Sequence, residues 1–196
     1  MLTATEKQIL RTKLEKYEGK VNYMYLDSKG YVTVGVGHLI NSVADAQKLA
    51  FITPKSLPAS ATDIKADYDT VKKQPANRLA SFYKKHAKLT LPNAEVDKLT
   101  NKHIDSFEKE LRLIYSGFDA FPSEVKLALF DLIFNLGMPN LKNKWPMFNA
   151  AIKAKDWQKA AYNSSRTAPI SAERNKYVKD LLEKAAKTAQ SRNPKI

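Results

Sequence analysis

Tyr17-Glu18-Gly19, then Tyr25-Leu26-Asp27-Ser28-Lys29-Gly30-Tyr31-Val32-Thr33-Val34-Gly35-Val36-Gly37-His38-Leu39, is the stretch whose reading decides the fold. Upstream, Ile9, Leu10, Leu14 and Tyr17 recur at helical spacing. That predicts a helix capped by Thr5, with Gln8 as capping-box partner, and stopped by Gly19. Glu18 then falls in the last turn, beside the negative end of the helix dipole, where a carboxyl tends to keep its proton. Downstream, β-forming residues flank the turn formers Asp27 to Gly30, which reads as a hairpin. Val32, Val34 and Val36 share one face of the second strand, and Tyr31, Thr33 and Gly35 the other. The valine face is expected to pack inward and Thr33 to lie on the open side. Gly35 and Gly37 weaken a strand unless something must approach its backbone closely.

Beyond the hairpin the pattern is helical. Ala44 to Leu49 reads as a short helix. Pro54, Pro58 and Pro75 divide the next region, where Ile64, Tyr68 and Val71 mark a helix capped by Ser60 or Thr62, and Leu79, Phe82 and Tyr83 a shorter one. A long helix is predicted from a cap at Asn93 to about Tyr115, with Val96, Leu99, His103, Ile104, Phe107, Leu111 and Ile114 on one face. Ser123 is expected to cap a helix that is apolar nearly all round and ends at Gly137. Its only polar interruptions, Asp131 and Asn135, share a face. Helices over Leu141–Lys153, Asp156–Ser165 and Ser171–Lys187 complete the reading, with a loose tail from Ser191 to Ile196. The class is α+β. It is read as a single domain: a lobe over about 15–90 holding the hairpin, a connecting helix over about 92–115, and a helical lobe over about 116–190.

Composition narrows the classes of function. With 43% hydrophobic residues over 196 positions the chain can bury a core and is not a disordered segment. It has no cysteine, which excludes disulfides and thiolate chemistry. The three histidines lack metal-ligand spacing, so no metal and no cofactor are expected. No run approaches the ~20 apolar residues of a membrane span. Met1 to Glu6 does not begin a signal segment, so delivery by another route, or a leader already removed, is expected if the protein works outside the cytoplasm. Thirty-three Lys and Arg against 20 acids give +13, a charge that draws a protein toward polyanions. The basic residues are spread out, with knots at Lys72-Lys73 and Lys84 to Lys88, and no nucleic-acid motif accompanies them.

Two carboxylates on different elements, Glu18 and Asp27, with Thr33 on the neighbouring strand, form the arrangement that glycosidic bond cleavage needs. The spacing from Glu18-Gly19 through Tyr25, Asp27, Gly30, Thr33, Gly35, Gly37 and His38 resembles, without a gap, the active-site hairpin of phage-type lysozymes, the endolysin muramidases. Asp131 to Gly137 resembles that family's buried C-lobe helix. Ile170 to Asn175 resembles the segment where the family places an arginine near its catalytic glutamate. The resemblance implies a lysozyme-like fold and hydrolysis of the β-1,4 bond between N-acetylmuramic acid and N-acetylglucosamine in peptidoglycan. It implies Glu18 as general acid, Asp27 as base or electrostatic partner, and Thr33 as the holder of the attacking water. Arg174 would pair with Glu18, and Asn135 would reach the cleft. Tyr31, Gly35 and His38 would have supporting roles.

Two departures stand out. An extra stretch from roughly Ile52 to Lys88 intervenes before the long helix. His103 stands where a carboxylate partner for His38 would be expected, with Asp105 on another face. The insertion and the Ile-Ser-x-x-Arg-Asn ending are similar to lysozyme domains of bacterial secretion effectors. That likeness implies delivery by lysis or a secretion system, action on the wall from the periplasm or outside, a cognate immunity protein as partner, and a monomer. The main rival is a lysozyme-like module that grips peptidoglycan or a partner without cutting. Retention of Glu18, Asp27 and Thr33 together weighs against it. A nucleic-acid-binding domain would rest on net charge alone and would bind DNA with strong salt dependence.

Overall fold

The computed structural model describes residues 1–192. The fold is α+β and mainly helical, with one three-stranded antiparallel sheet. It divides into two compact units: a hairpin unit of residues 11–102, and a helical unit made of residues 1–10 together with the chain from 103 onward. Among the described residues no helix is long and apolar enough to cross a membrane.

Helix α1 (Ala4–Glu18) begins in the helical unit and ends in the hairpin unit. Its cap is Thr3 rather than the expected Thr5. The Thr3 hydroxyl accepts from the Glu6 amide at 3.1 Å and the Glu6 carboxylate accepts from the Thr3 amide at 2.7 Å, a capping box two residues earlier than predicted. Glutamate accepts more strongly than the Gln8 amide could, being charged.

In the hairpin unit β1 (Val21–Leu26) pairs with β2 (Val32–Gly35), and β2 with a short β3 (His38–Leu39) that was not foreseen. Gly35 and Gly37 both have positive φ, which lets the chain turn from β2 into β3. A Cβ on Gly35 would lie 3.2 Å from Val96, so this glycine clears space for core packing and not for a ligand at its α-carbon. Strand β2 is accordingly buried on both faces, and Thr33 is 4% exposed, in contrast to the open face expected for it.

The insertion folds as α3 (Ala61–Lys72) and α4 (Ala80–Tyr83), which follow the short α2 (Val43–Ala46). Ser60 and Asp63 form the capping box of α3. Ile64, Val71 and Tyr83 are buried, and both α3 and α4 pack on β1.

Helix α5 (Asn93–Ile114) starts in the hairpin unit and ends in the helical unit. The helical unit is built on α6 (Ser123–Leu136), whose residues from Val125 to Ile133 are all buried. Pro122, not Ser123, holds the cap position, and the Ser123 hydroxyl instead donates to the Glu6 carboxylate at 2.6 Å. The single helix predicted over Leu141–Lys153 is two: α7 (Met138–Lys144) and α8 (Pro146–Lys153). Pro146 lacks the amide needed to continue a helix and restrains Trp145 before it, but it suits the first position of a new one. Asn149, buried, ties the segments together by accepting from the Tyr115 hydroxyl and donating to Leu141 and Lys142 carbonyls. Helix α9 (Trp157–Tyr162) is capped by Asp156, and α10 (Ala172–Arg192) packs on α6 and α9. Ser191 and Arg192 of the expected loose tail are helical, and its remaining residues, 193–196, lie outside the described residues.

Candidate active site

Glu18 is the last residue of α1. Gly19 stops the helix with φ of 78°, its amide bonded to Glu15, as the sequence predicts. Lys20 then donates to Asp97 at 2.8 Å and to Glu15 at 3.2 Å, which pins the helix end within the hairpin unit.

Asp27 organises the hairpin turn. Its Oδ1 accepts from the amides of Lys29 at 2.9 Å and Tyr31 at 2.8 Å, the pattern by which aspartate closes a turn with its own side chain. Its backbone bonds to both Tyr31 and Gly30 complete the turn. Among the described residues no hydrogen bond reaches Oδ2, so that oxygen is available to a water or a substrate hydroxyl.

Tyr25 sits opposite Thr33 in the β1–β2 register, on the same face as Asp27 two residues later. Its phenol is pushed up to about 12, first by burial and then by the negative charges of Glu18 and Asp27. One side chain therefore feels both carboxylates, which ties the helix end and the turn into one electrostatic site. Tyr25 was read only as part of the motif and not as a site residue. The available signal was its parity with Asp27.

Because the folded state holds this proton more tightly than an unfolded chain, the contribution of Tyr25 to stability is fully present below pH ~10. It is lost as pH rises through about 12. Urea titrations at rising alkaline pH are expected to show Tyr25→Phe losing less stability than wild type over that interval. An equal loss in both proteins would show that Tyr25 does not carry the shift.

The Thr33 hydroxyl donates to the Tyr31 carbonyl at 3.1 Å, the same oxygen that receives the Asp27 amide, so Thr33 is tied to the turn that holds Asp27. The Tyr31 ring is 51% exposed, with the Lys72 ammonium 5.8 Å from its centroid. His38 lies opposite Val34, and its charge helps to hold the Asp45 carboxyl below its usual range, after the larger effects of Lys48 and Ser42. Asp45 is thus one carboxylate that feels His38, and Asp105 is paired with Lys7 at 2.8 Å.

In the helical unit Arg174 binds Asp131, with Nε at 3.0 and 3.2 Å from the two carboxylate oxygens. Arg166 reaches the same carboxylate at 2.8 Å, and all three residues are buried. Asn135 lies 3.5 Å from Arg166 and lines a hollow of about 360 Å³ with Trp145 and the loop from Ser165 to Ile170. Arg166 was missed: it lies in a loop, and a lone loop arginine carries no sequence signal for a buried ion pair. Among the described residues no group of three or more His, Asp or Glu is placed to hold a metal ion.

The hairpin unit thus presents two carboxyl groups from separate elements, one on a helix end and one on a turn, bearing on a shared tyrosine. Chemically this suits donation of a proton by one and activation of a water by the other. A family model described as "Pesticin: Bacterial toxin homologue of phage lysozyme, C-term" matches residues 8–158. Comparison with curated proteins gave no match.

Proposed function

Since the chain belongs to the Pesticin family of bacterial toxin homologues of phage lysozyme, we propose that it is a muramidase that lyses bacterial walls by cutting the glycan strands of peptidoglycan. The observation that carries the reading is that one unit holds two carboxyl groups on separate elements, Glu18 at the end of α1 and Asp27 in the hairpin turn. Glu18 is the general acid that protonates the leaving glycosidic oxygen. Asp27, through Oδ2, is the base or electrostatic partner, with the attacking water held between it and the Thr33 hydroxyl. The bond cut joins N-acetylmuramic acid to N-acetylglucosamine. Tyr31, Gly35 and His38 shape the hairpin around these groups. The enzyme acts in the periplasm or outside the cell, reaches the wall by lysis or a secretion system, and is restrained by an immunity protein.

The reading is tested by turbidity loss of purified peptidoglycan followed by mass analysis of the released sugars. Hydrated reducing ends are expected. Internal anhydro sugars would make the enzyme a transglycosylase, and binding without clearing would make the chain a non-catalytic module.

The net charge of +13 has a use in this setting, since wall and lipid phosphates attract a basic enzyme over long range. Clearing of whole walls is expected to fall as salt rises, because the Debye length shrinks from about 10 Å at 0.1 M to about 3 Å at 1 M. A rate independent of salt would remove charge from the account of wall recognition.

A further inference from the structure

We propose that the insertion from Ile52 to Lys88 braces the turn that carries Asp27, and that Lys72 is the positioning residue through which it acts. This rests on the assignment of Asp27 as base.

The insertion is firmly built onto the hairpin. Val71 and Tyr83 are fully buried. The Tyr83 hydroxyl donates to the Pro75 carbonyl at 2.8 Å, and the Tyr23 hydroxyl of β1 to the Ala80 carbonyl at 3.3 Å. At the base of the insertion the buried Asp67 carboxylate accepts from the amides of Lys88 and Leu89 at 2.6 and 3.2 Å. These bonds tie α3, whose last residue is Lys72, into the insertion, and the insertion onto β1.

Three contacts run from the insertion to the turn. The Lys72 ammonium donates to the Gly30 carbonyl at 2.8 Å. It also lies over the ring of Tyr31. A Cβ on Gly30 would stand 3.4 Å from the Ala76 side chain, so the chain just past α3 abuts the turn. Gly30 and Tyr31 both bond to Asp27 through their amides, the first to its carbonyl and the second to its carboxylate, which also accepts from the Lys29 amide. Lys72 therefore restrains Asp27 through one intervening peptide.

The tip of a hairpin is the part most free to move. A displacement of one ångström in a catalytic group can lower a rate by about 100-fold, so a restraint at this point bears on catalysis out of proportion to its effect on stability. Lys72 is exposed, and a surface bond from its ammonium to a carbonyl adds little to the global fold.

Three proteins test this: wild type, Lys72→Met and Lys72→Arg, each measured for wall hydrolysis and for hydrogen exchange of the Gly30 and Tyr31 amides. In Lys72→Met the two amides are expected to exchange about tenfold faster. Its kcat should fall about five- to tenfold with KM nearly unchanged. Lys72→Arg should restore both. Exchange at the wild-type rate in Lys72→Met overturns the brace. Faster exchange with unchanged kcat overturns the positioning role. If wild type itself does not cut the wall, the catalytic reading of Asp27 and the positioning role fall together, and the exchange rates still decide whether the insertion braces the turn.

Discussion

Glu18→Gln is expected to fold as wild type does and to clear peptidoglycan about 10³-fold more slowly, the scale of a lost general acid. The substitution keeps the size and hydrogen-bonding reach of the side chain and removes only the transferable proton. Glu18 is half-buried at the end of α1, where Gly19 and the Lys20 bonds fix the backbone whatever the side chain is. The loss should therefore appear in kcat and not in the binding of wall fragments, because a proton delivered only in the transition state does not contribute to ground-state affinity. The measurement is initial clearing rate paired with pull-down of insoluble peptidoglycan. Clearing by Glu18→Gln at the wild-type rate would sink Glu18 as the acid, and with it the proposed mechanism.

The second large effect concerns stability. Asp131→Ala is expected to destabilise the helical unit by about 3–5 kcal/mol, the cost of breaking a buried ion pair by removing one partner. Asp131 is 3% exposed and is the carboxylate shared by Arg166 and Arg174, both buried. Its loss removes that shared partner from two guanidinium groups at once. Urea unfolding followed by tryptophan fluorescence suits the test, since Trp145 and Trp157 both belong to the helical unit. A shift of less than about 1 kcal/mol would place the anchoring of those arginines elsewhere. Asp131→Asn, which keeps an acceptor, should lose less than alanine does.

What the sequence disclosed follows from how local each feature is. Glu18, Gly19 and the Asp27 turn were legible because their causes lie within a few residues: a helix period, a glycine stop, a run of turn formers. The cap of α3 was narrowed to Ser60 or Thr62 for the same reason, and the structure selects Ser60 through its box with Asp63. The start of α1 was read two residues late because Thr5 and Gln8 fit the capping pattern as well as Thr3 and Glu6 do, and only the charge on Glu6 separates them. Ser123 was misread because its hydroxyl bonds to Glu6, 117 positions away. The break at Pro146 was visible in the residue itself but was overridden by the apolar pattern across it. The pairing of Asp131 with Arg166 and Arg174 joins positions 35 and 43 residues apart, and no spacing rule reaches that far. The burial of Thr33 escaped because strand alternation predicts one covered face, whereas Val96 lies against the other beside Gly35.

The turn at Asp27 carries one further consequence. Both side-chain bonds that shape it end on Oδ1, and asparagine offers an oxygen in the same place, so the turn has no need of a charge. On the proposed mechanism, exchange of a single oxygen for nitrogen is expected to stop cutting and leave the fold in place, which circular dichroism paired with clearing assays would check. Descendants that bind walls without cutting them lie one neutral step away from this chain. The requirements of folding leave the choice between Asp and Asn open at position 27, and the proposed chemistry is what calls for the charge there.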